Sequence, residues 1–514
     1  MSSSSTTLAP PKEVHFLALV HGMWGSPDHL KFVEDTILKK FKETDGDITI
    51  HTLRAETNSN SHTYDGLDWG AERVVKEIYA EVEKLEADGA TKVTKFSIFG
   101  YSLGGLISRY VIGILRHRGF FDHVKPVNFT TFATPHIGLP RYRGIIGAAM
   151  HKLGPIMLSR TGRQFYGTDN DKWSPNDKVG RPLLEFMADK DSVFFKALES
   201  FAHVTFYGSA VNDLTVMYCT AMAEARDPFT VLKSKDHRLA IKLDPKYKNV
   251  IQSFEEVPLG EEVPLCEIDR LYKAERDAMP WYSPSRYRSR QALPPFLTFP
   301  FPLNLLFYLL IPVIIPAGLT YAAIRFQRES HSSRRRLKAL LESPEAQSSL
   351  AAMLQRVELA VADVVDPPNT GLPNRRWSKG LESKMEEGAA VAGDKPRNDA
   401  RKRKASRPGT PDGPTGSLPT PATTPAIELK SNPMSSKYRK SKSKADDSRQ
   451  PLLTPGQLAM VESLNSIPHL QKVRAYFPAV RNAHPIIIVR DPEQFPMHLD
   501  GEGVVAHWAD RFVL

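Results

Sequence analysis

The chain of 514 residues is longer than one average domain, and its hydrophobic fraction of 41% is sufficient for a packed core. Its formal net charge of +10 is concentrated beside an apolar stretch and in a low-complexity tract, without a nucleic-acid-binding motif, which argues against a nucleic-acid-binding protein. The two cysteines exclude a disulfide framework, and the first residues lack the apolar core of a secretory signal peptide, so we expect exposure to the cytosol.

Short apolar runs alternate with longer helical segments along residues 14–132. A continuous apolar run is typical of a strand buried on both faces, and the longer segments place their apolar residues on one side of a helix. The predicted strands are 16–20, 48–53, 95–99 and 127–133, and the predicted helices are 29–42, 69–85 and 105–116. This alternation predicts an α/β fold, with a mostly parallel sheet and helices on both faces.

The regular alternation of predicted strands and helices ends after Pro135. Residues 145–158 are apolar with several small residues, and we expect them to form either a lid or acyl-chain wall, or a part of the core. A further strand is predicted at 203–207, and partly apolar residues at 473–476 indicate where the last strand of the sheet lies.

One apolar segment is long enough to enter a membrane. Residues 296–324 contain no charged residue over 29 positions, whereas a membrane span needs about 20 apolar residues. Arginines crowd both flanks, and four prolines interrupt the segment, which argues against the alternative of a soluble core helix. The prolines are Pro300, Pro302, Pro312 and Pro316.

A tract rich in Pro, Ser, Thr, Lys and Gly separates this segment from the C-terminal part of the chain. Such a composition cannot bury enough apolar surface to offset its ordering entropy, so we expect a disordered insertion. The predicted organisation is a flexible N-terminus (1–12), the main part of the catalytic domain (13–290), a membrane segment (294–324), an amphipathic helix (339–364), a disordered linker (367–455) and the C-terminal part of the same domain (456–514).

The sequence Gly-Tyr-Ser-Leu-Gly at residues 100–104 follows a predicted strand and precedes a predicted helix. That context is the one required by a G-x-S-x-G nucleophile elbow, in which a sharp strand-to-helix turn exposes the serine. Both glycines allow a close backbone approach, and the helix N-terminus favours developing negative charge. Ser102 is therefore the predicted nucleophile of an α/β-hydrolase.

The oxyanion hole of this fold uses one backbone N–H after the nucleophile and one at the end of an earlier strand. Leu103 follows the nucleophile, and Met23 lies in the His-Gly-Met-Trp-Gly turn after the strand at 16–20. We predict that these two amides hold the oxyanion. His21, in the same turn, precedes the nucleophile in chain order, which excludes it as the base.

The catalytic acid and base should follow Ser102 in that order. Asp213 follows the second strand after the nucleophile and is the predicted acid. His484 follows the expected last strand and is the predicted base among 16 histidines. His136 lies too early, no core strand is evident between Asp213 and His237, and His507 is expected to be a packing residue.

Several motifs together resemble a fungal family of serine esterases and lipases that includes a lipid droplet phospholipase. They are residues 19–25, 64–68 with the helix at 72–74, 99–106, 133–138, 158–164, 212–213 and 483–490. Pro485 departs from the polar residues that the family usually has after the histidine. The resemblance covers residues 13–275 and 465–514, and it implies an α/β-hydrolase fold, hydrolysis of lipid esters, and neither a metal nor an organic cofactor.

The order of the site residues constrains the membrane segment. Ser102 and Asp213 precede it and His484 follows it, so a single crossing would separate the base from its partners. Two full crossings would need about 40 residues. We therefore predict a shallow hairpin bent near Pro312 and Pro316, with its basic flanks on the cytosolic side. The expected location is a lipid droplet or the endoplasmic reticulum membrane, with the catalytic domain facing the cytosol.

The predicted reaction is hydrolysis of a lipid ester through an acyl-Ser102 intermediate. Phospholipid is the first expected substrate and neutral glyceride the second; we expect no nucleic acid and no metal as partners. The alternatives are a non-catalytic membrane scaffold that retains the fold, and a thioesterase or acyltransferase acting on acylated proteins.

Overall fold

The computed structural model describes residues 11–42, 48–169, 180–233, 238–257, 265–280, 303–342, 349 and 450–514. Residues 1–360 and 442–514 belong to one compact unit, and the second unit, 361–441, lies outside the described residues. Three predicted segments also lie largely or partly outside them: the N-terminus, the amphipathic helix at 339–364 and the linker at 367–455.

Six strands of the described residues form one parallel sheet. They are β1 (Lys12–Val20), β2 (Ile48–Arg54), β3 (Thr91–Tyr101), β4 (Lys125–Phe132), β5 (His203–Ser209) and β8 (Leu470–Ala475), arranged in the order β2-β1-β3-β4-β5-β8. A separate antiparallel pair, β6 (Arg238–Leu243) and β7 (Ile251–Val257), was not predicted from the sequence. The parallel sheet predicted from the alternation of strands and helices is confirmed.

Helices cover both faces of the sheet. The longer ones on the catalytic body are α1 (Lys31–Lys42), α2 (Leu67–Glu86), α3 (Leu103–His117), α4 (Ile145–Met157) and α12 (Glu502–Arg511). The shorter or more peripheral ones are α5 (Ser159–Phe165), α6 (Leu183–Ala188), α7 (Val193–Glu199), α8 (Tyr218–Ala221), α9 (Glu267–Ala278), α10 (Leu303–Leu341) and α11 (Pro455–Asn465).

The alternation of side chains along β1 explains the two layers of the core. Phe16 and Ala18 pack with α2 and α3 on one face, whereas Leu17 and Leu19 pack with α1 and α12 on the other. Successive side chains of a strand point to opposite faces, so a strand covered on both sides must be apolar throughout.

The C-terminal part of the chain completes the sheet. β8 pairs with β5 in parallel, with Leu470 opposite Val204 and Ala475 opposite Ser209. The strand nearest the C-terminus therefore lies next to one that precedes it by more than two hundred residues, and the loop after β8 emerges at the same edge as the loop after β5.

Helix α10 corrects the predicted hairpin. Residues 303–341 form one continuous helix that contains Pro312 and Pro316, rather than two segments joined by a bend at these prolines. A proline in a helix removes one backbone hydrogen bond, and here the loss does not end the helix. Among the described residues, no helix is both long enough and apolar enough to cross a membrane.

The end of the predicted disordered linker is also corrected. The Leu452 amide donates to the carbonyl of Arg141 at 2.7 Å, and Thr454 forms a capping box with Gln457 at the start of α11. These contacts give residues 450–455 of the predicted linker a defined conformation.

Candidate active site

A strained turn between β3 and α3 presents the Ser102 hydroxyl. Ser102 has φ +56° and ψ −124°, a conformation that a non-glycine residue adopts only where the surrounding structure enforces it. The Ser102 amide donates to the Phe132 carbonyl of β4 at 2.9 Å, which fixes the turn to the sheet. A Cβ at Gly104 would overlap the carbonyl oxygen of Val20, so the helix can approach β1 only because this residue is glycine.

The structure brings the three predicted side chains Ser102, Asp213 and His484 together. His484 Nε2 lies 3.0 Å from Ser102 Oγ, and His484 Nδ1 lies 2.9 Å from Asp213 Oδ2. All three residues are buried, each with 7% or less of its surface exposed. The imidazole thus bridges a hydroxyl and a carboxylate contributed by the loops after β3 and β5.

The Asp213 carboxylate is fixed by its own loop. Its Oδ1 accepts hydrogen bonds from the amides of Thr215 and Val216, both at 2.8 Å. Asn212 precedes it in a left-handed conformation, and its side chain donates to the Phe477 carbonyl after β8 at 2.9 Å. This hydrogen bond connects the loop that carries Asp213, the acid loop, with the segment after β8 that carries His484.

His484 is held from two further sides. The Tyr101 hydroxyl donates to the His484 carbonyl at 3.0 Å, and the Tyr101 ring lies 5.0 Å from the imidazole between centroids. Burial raises the pKa of Tyr101 above its usual value, so its hydroxyl stays protonated as a donor. The neighbouring residue Pro485 does not disturb this placement of the ring.

The turn at residues 21–25 lies against the serine. A Cβ at Gly22 would stand 2.8 Å from Ser102 Cβ, and Met23 comes next in the chain. Within the described hydrogen bonds none uses the Met23 amide. The Leu103 amide is the first of helix α3, and the first amides of a helix have no acceptor within it. Two N–H groups are thus available beside Ser102.

His21 shapes this turn and does not reach the triad. Its ring Nδ1–H donates to the Gly22 carbonyl at 3.0 Å, and its Nε2 lies 3.1 Å from Ser59 Oγ. Burial lowers the pKa of His21, so the ring is neutral near pH 7.

His136 and His507, which were also weighed as the base, each contact an aromatic residue of β5. His136 stacks on Phe206 with ring centroids 3.6 Å apart. His507 packs in the core, where its Nδ1 is 2.9 Å from the Tyr207 hydroxyl.

Helix α10 packs against the outer side of the turn at residues 21–25, which we call the oxyanion turn after its predicted role. The Phe326 ring lies 5.8 Å from the Trp24 ring, and the Arg336 guanidinium forms an ion pair with the fully buried Asp65 at 2.9 Å. Ser333 contacts Ser159 through their hydroxyls at 3.3 Å. The basic C-terminal half of α10 is thus part of the wall beside the site.

One cavity opens at the triad residue Asp213, and a second opens at Trp24. One, of about 590 Å³, lies beside the acid loop and includes Asp213 and Met217 among its lining residues. The other, of about 450 Å³, lies between Trp24 and α10. No group of His, Cys, Asp and Glu that is suited to a metal occurs in the described part of the chain.

Neither the contact of Tyr101 with His484 nor the wall formed by α10 was predicted from the sequence. Tyr101 was visible as the variable residue of G-x-S-x-G, but its contact with a residue 383 positions later leaves no local signal. The acidic partner of Arg336 lies 271 positions earlier in the chain, which sequence spacing alone does not reveal.

The arrangement can transfer a proton from the serine hydroxyl to an imidazole that a carboxylate orients, beside two backbone donors. Together with the parallel sheet and the chain order Ser, Asp, His, it defines an α/β-hydrolase fold. Residues 10–226 match the family model described as "Putative serine esterase (DUF676)". Over these residues the chain is similar to that family.

Relatives of this family segment occur in fungi. The chain is 25% identical over 218 residues to "Putative lipase C4A8.10" of Schizosaccharomyces pombe, which covers 41% of this chain and 26% of the relative. It is 26% identical over 223 residues to "Putative lipase ROG1" of Saccharomyces cerevisiae, which covers 41% of this chain and 29% of the relative. The aligned region thus spans less than a third of each relative.

Among solved structures, the peroxisomal α/β-hydrolase Lpx1 of Saccharomyces cerevisiae aligns with a TM-score of 0.24 and 8% identity. The alignment covers 41% of this chain and 66% of that one.

Proposed function

We propose that this protein hydrolyses carboxylic ester bonds of lipids through an acyl intermediate on Ser102. The observation that carries the proposal is the imidazole of His484, which lies within hydrogen-bond distance of both Ser102 Oγ and Asp213 Oδ2. The names of the fungal relatives, which describe lipases, support the lipid class of substrate.

The reaction follows from this geometry. His484 Nε2 accepts the Ser102 proton while the oxygen attacks the ester carbonyl, and the amides of Met23 and Leu103 stabilise the oxyanion. Asp213 accepts the Nδ1–H bond and stabilises the imidazolium. The imidazolium then protonates the leaving alcohol or lysolipid, and the same imidazole activates the water that releases the fatty acid.

We further propose that the enzyme acts at a lipid surface, on a lipid droplet or on the cytosolic face of the endoplasmic reticulum. Phospholipid is the first substrate and neutral glyceride the second. Support comes from α10, whose side chains at Leu309 and Val313 are 76% and 66% exposed. Five arginines follow on the same helix, and the four that do not pair with Asp65 can contact anionic headgroups. They are Arg325, Arg328, Arg334 and Arg335.

A fluorophosphonate probe tests the proposed nucleophile. The wild-type protein should be labelled, and Ser102→Ala should lose all labelling while its thermal unfolding temperature shows that it remains folded. The exposed Ser466→Ala is the matched control and should label like the wild type. Failure of folded wild-type protein to react would contradict a serine hydrolase and favour a scaffold that retains the fold.

A further inference from the structure

The cavity between the oxyanion turn and α10 has a lining that is both aromatic and charged. Its volume of about 450 Å³ lies in the range of small-molecule sites, roughly 300–1,000 Å³. Four aromatic residues and one residue of each charge line it. They are Trp24, Tyr64, Tyr321, Phe326, Arg325 and Glu329.

The aromatic side chains are held in place around the space. The Trp24 indole N–H donates to the Tyr64 hydroxyl at 2.8 Å, and the Phe326 ring lies 5.8 Å from the Trp24 ring at an interplanar angle of 33°. Trp24 and Tyr321 remain 49% and 69% exposed, so ring surface is accessible to a ligand. Aromatic faces attract organic cations, including quaternary ammonium groups.

The two charged residues of the lining add a second feature, which favours a ligand that carries both a phosphate and an ammonium group. Arg325 and Glu329 are four residues apart on α10, which places them on the same side of the helix one turn apart. A guanidinium recognises phosphate, and a carboxylate beside aromatic rings complements an ammonium group. A lining that carries both charges complements a zwitterion better than an anionic or a neutral group.

The turn at residues 21–25 connects the cavity with the reacting serine. Trp24 follows Met23, whose amide we assign to the oxyanion hole, and Gly22 lies against Ser102. A lipid whose headgroup contacts Trp24 can place its ester at Ser102 across this turn, so the cavity can select which lipid is presented to Ser102.

We propose that this cavity binds the zwitterionic headgroup of a glycerophospholipid, with its phosphate at Arg325 and its ammonium group at Glu329 and the aromatic rings. The inference rests on the proposed function and deepens it by naming the charge of the phospholipid headgroup and the residues that bind it.

Binding of the headgroup is measured without turnover. The full-length Ser102→Ala protein is titrated with phosphocholine by calorimetry. Glu329→Gln and Arg325→Gln should each weaken binding about tenfold, because each removes one charge partner. Glu342→Gln and Arg116→Gln carry the same changes on residues outside the lining, and they should bind as well as the parent protein. Absence of binding to the parent, or equal binding by all four variants, would overturn the proposal.

Substrate selection is measured with soluble lipids of equal chain length. The ratio of kcat/KM for dihexanoylphosphatidylcholine to that for dihexanoylglycerol should fall about tenfold in Glu329→Gln and in Tyr321→Ala. Glu329→Lys should shift the preference towards the anionic dihexanoylphosphatidylglycerol. In the wild-type protein, phosphocholine should inhibit phosphatidylcholine hydrolysis competitively, a result that does not depend on how well any variant folds.

Together, the labelling, binding and hydrolysis experiments distinguish failure of the headgroup site from failure of the proposed hydrolase activity. Fluorophosphonate labelling and glyceride hydrolysis without phosphocholine binding would overturn the headgroup site and leave the hydrolase intact. Phosphocholine binding with an unchanged substrate ratio in every variant would show a site for the free compound and would overturn the assignment to a lipid headgroup. Phosphocholine binding without labelling or hydrolysis would contradict the proposed function instead.

Discussion

At the scale of single residues, the position of one imidazole decides what the site can do. The His484 ring meets Ser102 and Asp213, its carbonyl accepts from the Tyr101 hydroxyl, and its amide donates to the Asn482 side chain at 3.2 Å. Contacts to ring and backbone together leave the imidazole a single orientation, which a proton carrier between a hydroxyl and a carboxylate requires.

Replacement of Asp213 by asparagine should lower kcat by about 10⁴-fold, because an amide no longer favours the tautomer with its proton on Nδ1. KM should change far less, since the carboxylate lies behind the imidazole. Steady-state kinetics on a soluble short-chain ester measure both constants, and circular dichroism checks the fold. Activity close to that of the wild type would show that Asp213 is not the orienting acid.

The candidate residues of the triad could be chosen from sequence because chain order and strand position are local signals. Ser102 lies in a motif of five residues, and Asp213 lies four residues after the end of β5. Their contacts could not be foreseen in the same way. The hydrogen bond between Ser102 and His484 joins residues separated by 382 positions, and only the folded sheet brings them together.

At the scale of elements, the strand–turn–helix unit around Ser102 depends on close packing between α3 and β1. A Cβ at Gly104 would overlap the carbonyl oxygens of Val20 and His21. These are backbone atoms of a central strand and its adjoining turn, which cannot move aside without disturbing the sheet and the oxyanion turn together.

Gly104→Ala should therefore lower the free energy of unfolding by at least about 3 kcal/mol, or prevent folding. Gly318→Ala is the matched control, because a Cβ at this helical glycine meets nothing within 4 Å and alanine has the higher helix propensity. Urea unfolding of both variants measures the difference. Equal stability of the two would contradict the tight contact at Gly104.

Helix α10 differs from the hairpin that its proline content predicts. Prolines in an apolar run suggested a bend, yet residues 303–341 form one helix whose C-terminal half is fixed to the catalytic body by Arg336 and Phe326. Contacts outside the helix stabilise it, and local proline content does not reveal them.

Replacing Leu309 and Val313 by glutamine should weaken binding to phospholipid vesicles about tenfold or more, because two exposed apolar side chains on one face are lost. Vesicle sedimentation measures the binding. Hydrolysis of a soluble short-chain ester should continue, since both residues lie away from the triad. Unchanged vesicle binding would contradict a role of this face at a lipid surface.

At the scale of the whole molecule, several buried histidines make stability depend on pH. Burial lowers the pKa of His15 to about 3 and that of His507 to about 4, compared with about 6.5 in an unfolded chain. Between these values the unfolded chain binds protons that the folded chain does not. Stability is therefore fully present above pH 6.5 and is lost as the pH falls.

The loss for His15 should approach about 1.4 kcal/mol per pH unit below pH 6. His15→Gln, which retains a partner for Ser97, should lose less stability than the wild type between pH 7 and pH 5. Urea unfolding at the two pH values measures the change. An equal loss in both proteins would show that His15 is not the buried neutral group described above.

The first five strands of the sheet were easier to predict from the sequence than the strand that completes it, β8. Apolar runs and helical periodicity identified β1 to β5 because each strand carries its own pattern. The pairing of β8 with β5 joins Val204 and Leu470, and such a distant pairing is a property of the whole sheet. The hairpin β6–β7 was missed because its strands carry many polar residues and too little apolar pattern to be recognised.

The central claim is that Ser102 carries the acyl group between two half-reactions. Full-length protein is mixed with a phospholipid, quenched with acid within milliseconds, and analysed by intact mass and peptide mapping. We expect a mass increase of one acyl chain on the peptide that contains Ser102, and its accumulation when Asp213→Asn slows hydrolysis. Product formation without any acylated peptide, or acylation at another residue, would contradict this account.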